Sequence, residues 1–246
     1  MTAICNHYVG VVTAENRHRK AAVSEVARVY QKRGIENTDR AWFETAGDWD
    51  IPKCHGVDMD IKRWQEETGG VCVGFNYCKS YENKQVEASE VGVHFFLDDY
   101  QFERLWRRPN DYLDLLRKFK FVLSPDFSLF TDHPKAVQLF SHYKKQWLAA
   151  YWERHGLTVI PTICWSDSDS FDWCFDGVPV GSVVAVSTKG TQGNSISKER
   201  FLAGYNQMMK RLQPKSVLLF GKEIGGLDGD ISYMGYEFQE CLKSRK

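Results

Sequence analysis

The chain has 246 residues, 26% of them charged, and its 32 basic and 32 acidic side chains cancel. That balance gives no general attraction to nucleic acid or to an anionic membrane, and no apolar stretch approaches the roughly 20 residues that cross a bilayer. The length suits one large α/β domain, or a core domain with an N-terminal extension.

Residues 1–47 read as that extension and residues 48–246 as the α/β core. Met1 to His7 lacks a basic segment followed by an apolar core, so no secretory signal is expected and the cytoplasm is the default compartment. A short strand over His7–Val12 and an amphipathic helix over Asn16–Arg33 follow, the helix carrying Ala22, Val23, Val26, Ala27, Val29 and Tyr30 on one face and stopped by Gly34. Its Lys and Arg residues are the only support for nucleic-acid binding, and a solvated helix face explains them equally well. The seven cysteines form no CxxC pair, so neither a disulfide framework nor structural zinc is expected. Cys54-His55, Cys72 and Cys78 match none of the usual zinc spacings, and Cys164 and Cys174 read as buried, inert thiols.

From residue 71 onward, short β-branched and aromatic runs alternate with helical stretches. Val71–Phe75 is the first run. Five more each stop on a polar cluster: Val93–Leu97 into Asp98-Asp99, Phe121–Leu123 into Ser124-Pro125-Asp126, Thr158–Ile163 into Trp165-Ser166-Asp167, Val183–Val186 into Ser187-Thr188-Lys189, and Val217–Phe220 into Gly221-Lys222. Continuous apolar runs suit strands buried on both faces. Helices are predicted over Tyr100–Trp106, Asp111–Phe119, Asp132–His155 and Ser197–Leu212, the third burying Ala136, Phe140, Tyr143, Trp147 and Tyr151, the fourth capped by Ser195 or Ser197. One crossover helix between successive strands implies parallel α/β architecture, most simply a partial or complete β/α barrel.

Ligands of such sheets gather where the strands end, so the polar stops locate the candidate site. Asp98 and Asp99 are adjacent on a strand and point to opposite faces, so at most one faces a given cavity while the other caps or turns. Pro125 fixes the chain beside Asp126 and holds that carboxylate just past its strand; an Asx-turn is the competing role. Asp98 or Asp99 with Asp126 would divide acid and base roles or share a divalent cation such as Mg2+. Trp165 is either a stacking platform or a core lid, and Asp167 follows it. Ser187, Thr188 and Lys189, with Gly190 and Gly193 ahead of a helix N-terminus, have the makings of an anion site, and Lys222 lies in the next loop. No Walker pattern, HExxH or GxSxG occurs, and His94 reads as a core residue.

The runs Val93–Phe102, Leu123–Ser128 and Val159–Thr162, with Trp165-Ser166, Cys174–Gly177 and Ala185–Thr188, resemble a family of uncharacterised domains found in bacteria, phages and other mobile elements. The similarity runs from about Asp48 to Phe220. It implies a phage or mobile-element connection and supplies no catalytic residues. Two functions stay open: action on a phosphorylated small molecule or nucleotide through the carboxylates, or non-catalytic sequestration of a nucleotide signal or blocking of a host protein, for which the 14% aromatic content would matter more.

Overall fold

The computed structural model describes residues 43–81 and 88–234. The strand and helix expected within residues 1–34 lie outside them. The chain divides into two units after Trp42, and the described residues all belong to the second. It opens with a small antiparallel pair, β1 (Thr45–Ala46) and β2 (Ile51–Pro52). The segment after β2 is strapped to a long helix: Glu153 accepts from the backbone N–H groups of His55 and Gly56 at 2.7 and 2.9 Å.

Helix α1 (Ile61–Thr68) is capped by Asp60, whose carboxylate accepts from the N–H of Arg63, and it ends on Gly69 in the left-handed region at φ +79°. Four parallel strands follow in spatial order: β3 (Cys72–Gly74), β4 (Gly92–His94), β5 (Phe121–Leu123) and β6 (Val159–Ile160). A second parallel set contains β7 (Val183–Ser187), β8 (Ser216–Phe220) and β9 (Ile231–Met234). A bridge from Thr162 to Ala185 links β6 to β7. The fold is mixed α/β with parallel strands, as the alternation of apolar runs and helices implies. The strand β9 has no counterpart in the sequence reading, because Ile231-Ser232-Tyr233-Met234 is short, alternating and preceded by a glycine-rich loop.

The crossovers are α2 (Cys78–Tyr81), then α3 (Glu103–Arg107) and α4 (Leu113–Leu116) with 3-10 turns before each, α5 (Lys135–Arg154) and α6 (Ser195–Leu212). Asn194, rather than Ser195 or Ser197, caps α6; its side chain accepts from the Ser197 N–H at 2.8 Å. The buried face of α5 also departs from the expected stripe. Trp147 and Tyr151 are buried, but Phe140 is 47% exposed. The inward face instead carries Gln138, His142 and Lys145, all buried. Gln138 accepts from Ser166 at 2.6 Å, and the His142 Nε2 meets the carbonyl of Asp176 at 3.0 Å, while the His142 Nδ1 is buried with no partner among the described residues.

Outward-facing Phe95 stacks on Trp152 of α5 with centroids 5.6 Å apart. Its neighbours His94 and Phe96 alternate to the other face. There both meet Phe220 at the end of β8, at 4.7 and 4.8 Å. In the strand order β4 and β8 are four places apart, which a flat sheet would translate into ~19 Å at ~4.8 Å per strand. The sheet is therefore strongly curved, and its carboxyl ends face one another across a common cleft.

Candidate functional site

The cleft has a volume of about 440 Å3 and takes its walls from the ends of β4, β5, β6 and β7 and the first turns of α6. Of the residues singled out from sequence, Asp98, Asp126, Trp165, Ser187 and Lys189 line it. Asp99, Asp167, Thr188 and Lys222 do not.

Asp98 continues the inward alternation of His94 and Phe96. It is exposed, and although it occupies the N-cap position of the following 3-10 turn its side chain makes no capping bond. Asp99 points the other way: its carboxylate accepts from the Ser128 N–H at 3.1 Å and the Ser128 hydroxyl at 2.9 Å. It thus ties the loop after β4 to the loop after β5.

Asp126 sits at the apex of a tight turn in which the Phe127 N–H donates to the Pro125 carbonyl at 3.0 Å. The segment beneath is pinned to β6. The Ser124 hydroxyl accepts from the Thr162 N–H at 2.8 Å, and the Thr162 hydroxyl donates to the Ser124 carbonyl at 2.7 Å. The acid is half-buried, and its Oδ1 is enclosed with no hydrogen-bond partner. Burial pushes the carboxyl up to about 6, against the opposing pull of the Lys145 ammonium. A carboxyl with that affinity for protons is poised to exchange them near neutrality.

Trp165 lies against α6. A Cβ added at Gly204 would come within 2.2 Å of the indole, so the missing side chain is what lets the ring lie flat on the helix. Phe201 backs it at 5.4 Å. The ring is therefore a fixed wall of the cleft. Asp167 instead caps the 3-10 turn Ser168–Asp172, accepting from the Asp169 N–H at 3.2 Å.

The loop after β7 splits between two tasks. Thr188 is buried, and its hydroxyl donates to the carbonyl of Lys222 at 2.8 Å, fastening the loops after β7 and β8 together. Lys222 contributes that carbonyl, and its exposed side chain lies away from the cleft. Ser187 and Lys189 line the cleft, joined by Thr191, Ser197 and Arg200. Lys189 and Arg200 form no ion pair among the described residues. The first turn of α6 contains no acidic residue, so the positive end of its dipole is uncompensated. Sequence reading missed Arg200. Its signal is the three-residue step from Ser197, which puts both on one helix face.

His94 is buried below the cleft and accepts from the Phe96 N–H on Nδ1 at 3.3 Å. Burial, with the Lys189 charge nearby, pushes its pKa down to about 3, leaving it neutral. Cys164, expected from sequence to be a buried, inert thiol, is only partly buried, and Lys145 is a further omission. Cys164 lines the cleft, and the Lys145 ammonium, reaching in from α5, donates to its Sγ at 3.1 Å. A lysine in the middle of a helix reads as solvated, and only the fold reveals that this one is fully buried. Among the described residues no group of three or more His, Cys, Asp or Glu is placed to hold a metal, and no helix is long and apolar enough to cross a membrane.

These features define a parallel α/β protein with a cleft at the carboxyl ends of its strands, acidic on one side and cationic on the other. Residues 43–237 match the family described as Domain of unknown function (DUF4417), and the chain belongs to that family. It is 45% identical over 130 residues to the Gene 1 protein of Mycobacterium phage L5, covering 53% of this chain and 57% of that protein. It is 41% identical over 130 residues to the Gene 1 protein of Mycobacterium phage D29, covering 53% and 48% respectively. The match thus spans about half the length of these phage relatives. No solved structure matches.

Proposed function

We propose that the cleft binds a phosphorylated small molecule or nucleotide and that Asp126 serves it as an acid–base group. The observation that carries this reading is the opposition of Lys189 and Arg200, both free of ion pairs among the described residues, to Asp98 and Asp126 in one cavity. Phosphate oxygens would take the two cations, the Ser197 hydroxyl and the α6 N-terminus. Asp98, without a side-chain capping role, is the carboxylate left for a divalent cation accompanying the phosphate; Mg2+ commonly takes one or two carboxylates together with phosphate oxygens. In the same reading β3 to β9 form a partial β/α barrel, whose phosphate sites characteristically use late strand-to-helix loops.

Isothermal titration with ATP and with inorganic pyrophosphate tests the proposal. Binding is expected, with a loss of roughly 2–3 kcal/mol, or 30- to 150-fold in Kd, when Lys189 and Arg200 are both changed to Ala. Equal affinity in the double variant would rule out the anion site. A second reading, a non-catalytic binder of a nucleotide signal or a host protein, is favoured by Phe130, which lines the cleft yet is 56% exposed. Nucleotide recovered chemically intact after prolonged incubation with the protein would support it over the catalytic reading.

A further inference from the structure

The polar groups beneath Asp126 are arranged around a thiol. Cys164 is the partly exposed cysteine among the described residues; Cys54, Cys72, Cys78 and Cys174 are buried. Cys164 borders the cleft; its sulfur receives the hydrogen bond from the Lys145 ammonium at 3.1 Å, and its thiol makes a long, weak contact to the Phe127 carbonyl at 3.9 Å. That ammonium is fully buried, and no carboxylate among the described residues pairs with it directly. Withdrawing an ammonium from water without a direct ion pair is costly, yet the fold keeps it where a thiol borders the cavity. Asp126, from the neighbouring strand end, lies close enough to the thiol for each to alter the other's titration, and its enclosed Oδ1 has no partner.

We propose that Cys164 is a nucleophile for acyl transfer, with Asp126 as its proton acceptor and Lys145 as the fixed charge behind the sulfur, acting on the carbonyl of an amide or ester in an anionic ligand. The inference rests on the cleft reading above for where the ligand lies, but not on its phosphate. Burial holds the Cys164 thiol up at about 12, so the resting group is a thiol, and the proton must leave as the sulfur attacks. The Sγ–H proton passes to Asp126 while Sγ bonds to the carbonyl carbon and the carbonyl π pair moves to oxygen. On collapse the C–N or C–O bond breaks, the leaving group takes the proton from Asp126, and a thioester remains. Water, deprotonated by Asp126, attacks the thioester; the C–S bond breaks and the proton returns to sulfur. One water is consumed, a carboxylic acid and an amine or alcohol are released, and no oxidant is needed. Lys145 never touches the ligand and is a positioning residue, stabilising negative charge on sulfur in the transition state.

The probe is 4-nitrophenyl acetate with the full chain, following nitrophenolate release and mapping the acetyl group by peptide mass spectrometry. An acetyl group on Cys164 is expected, absent in Cys164→Ala, at a rate that rises as pH passes through about 6. Asp126→Asn should slow acylation by about 100-fold at pH 7, and Lys145→Met by about tenfold, with partial rescue by Lys145→Arg. Acetylation of Cys164 no faster than of the other cysteines overturns the proposal, as does an unchanged rate in both variants with normal melting. Should Lys145→Met not fold, the wild-type pH profile decides: a rise only near the free-thiol value of about 8.5 overturns it. Pyrophosphate binding measured alongside separates the two readings. Binding without Cys164 acylation removes the nucleophile alone, and acylation without binding removes the phosphate site alone.

Discussion

Asp126 is held in surroundings that penalise its charge, and the pH dependence that follows is opposite in sign to that of a salt-bridged aspartate. Its folded-state value of about 6 lies above the unfolded value of about 4. Between those limits the unfolded chain has released the proton and the folded one has not, so this group makes stability fall as pH rises from 4 to 6 and level off above. Asp126→Asn removes the penalty. Its Tm should match the wild type near pH 4 and exceed it at pH 7.5, by about 2–4 °C for each kcal/mol relieved. Calorimetric melts at the two pH values check this; a lower Tm at pH 7.5 would mean that attraction to Lys145 outweighs burial. The position of Asp126 was legible in the sequence because Pro125 announces a constrained turn. So was the division of labour between Asp98 and Asp99, since strand alternation sends one inward and the other aside. Lys145 was not legible: its burial depends on a thiol and a carboxylate brought in from two other strand ends, and no local pattern encodes that.

At the level of elements, α6 and the Trp165 wall are fitted to each other through Gly204. Gly204→Ala must push the indole off the helix, because the new methyl would overlap three ring atoms at 2.2–2.4 Å. Overpacking of this kind costs about 1–3 kcal/mol, which outweighs the roughly 1 kcal/mol that Ala gains over Gly in a helix. Denaturant titration should show the net loss, and tryptophan emission should shift as the ring moves toward solvent. Helix α5 illustrates the limit of periodicity. Its extent was legible from Pro134 and Gly156, but its buried face was not: the sequence places aromatics on the side that leaves Phe140 half in water, whereas Gln138, His142 and Lys145 go inward, to partners between Cys164 and Asp176.

For the molecule as a whole, the decisive contact is the meeting of His94 and Phe96 with Phe220 across the curved sheet. Strand content was readable from the apolar runs, and the expected β/α barrel already implied a curved sheet, but which inward rings meet across it was not readable, because no local pattern pairs Phe220 with His94 and Phe96. Phe220→Ala should cost about 3–5 kcal/mol, measurable by urea titration, and should weaken pyrophosphate binding, since the ends of β4 and β8 would no longer be held together. A loss of stability with the cleft intact would show that closure is carried by the strand ladder alone. The family match covers the whole described region, whereas the phage relatives share about half their length with the chain.

The two loop-to-loop ties, Asp99 to Ser128 and Thr188 to the Lys222 carbonyl, have a consequence for how this cleft can diversify. In many α/β proteins each strand-to-helix loop varies alone, so specificity changes one loop at a time. Here the loops are yoked in pairs. A substitution at position 99 orphans a serine in the next loop, and lengthening either partner of the second pair breaks the tie to the other. The cleft should therefore evolve, and yield to engineering, by exchange of paired loops, with positions 99 and 128 changing in concert.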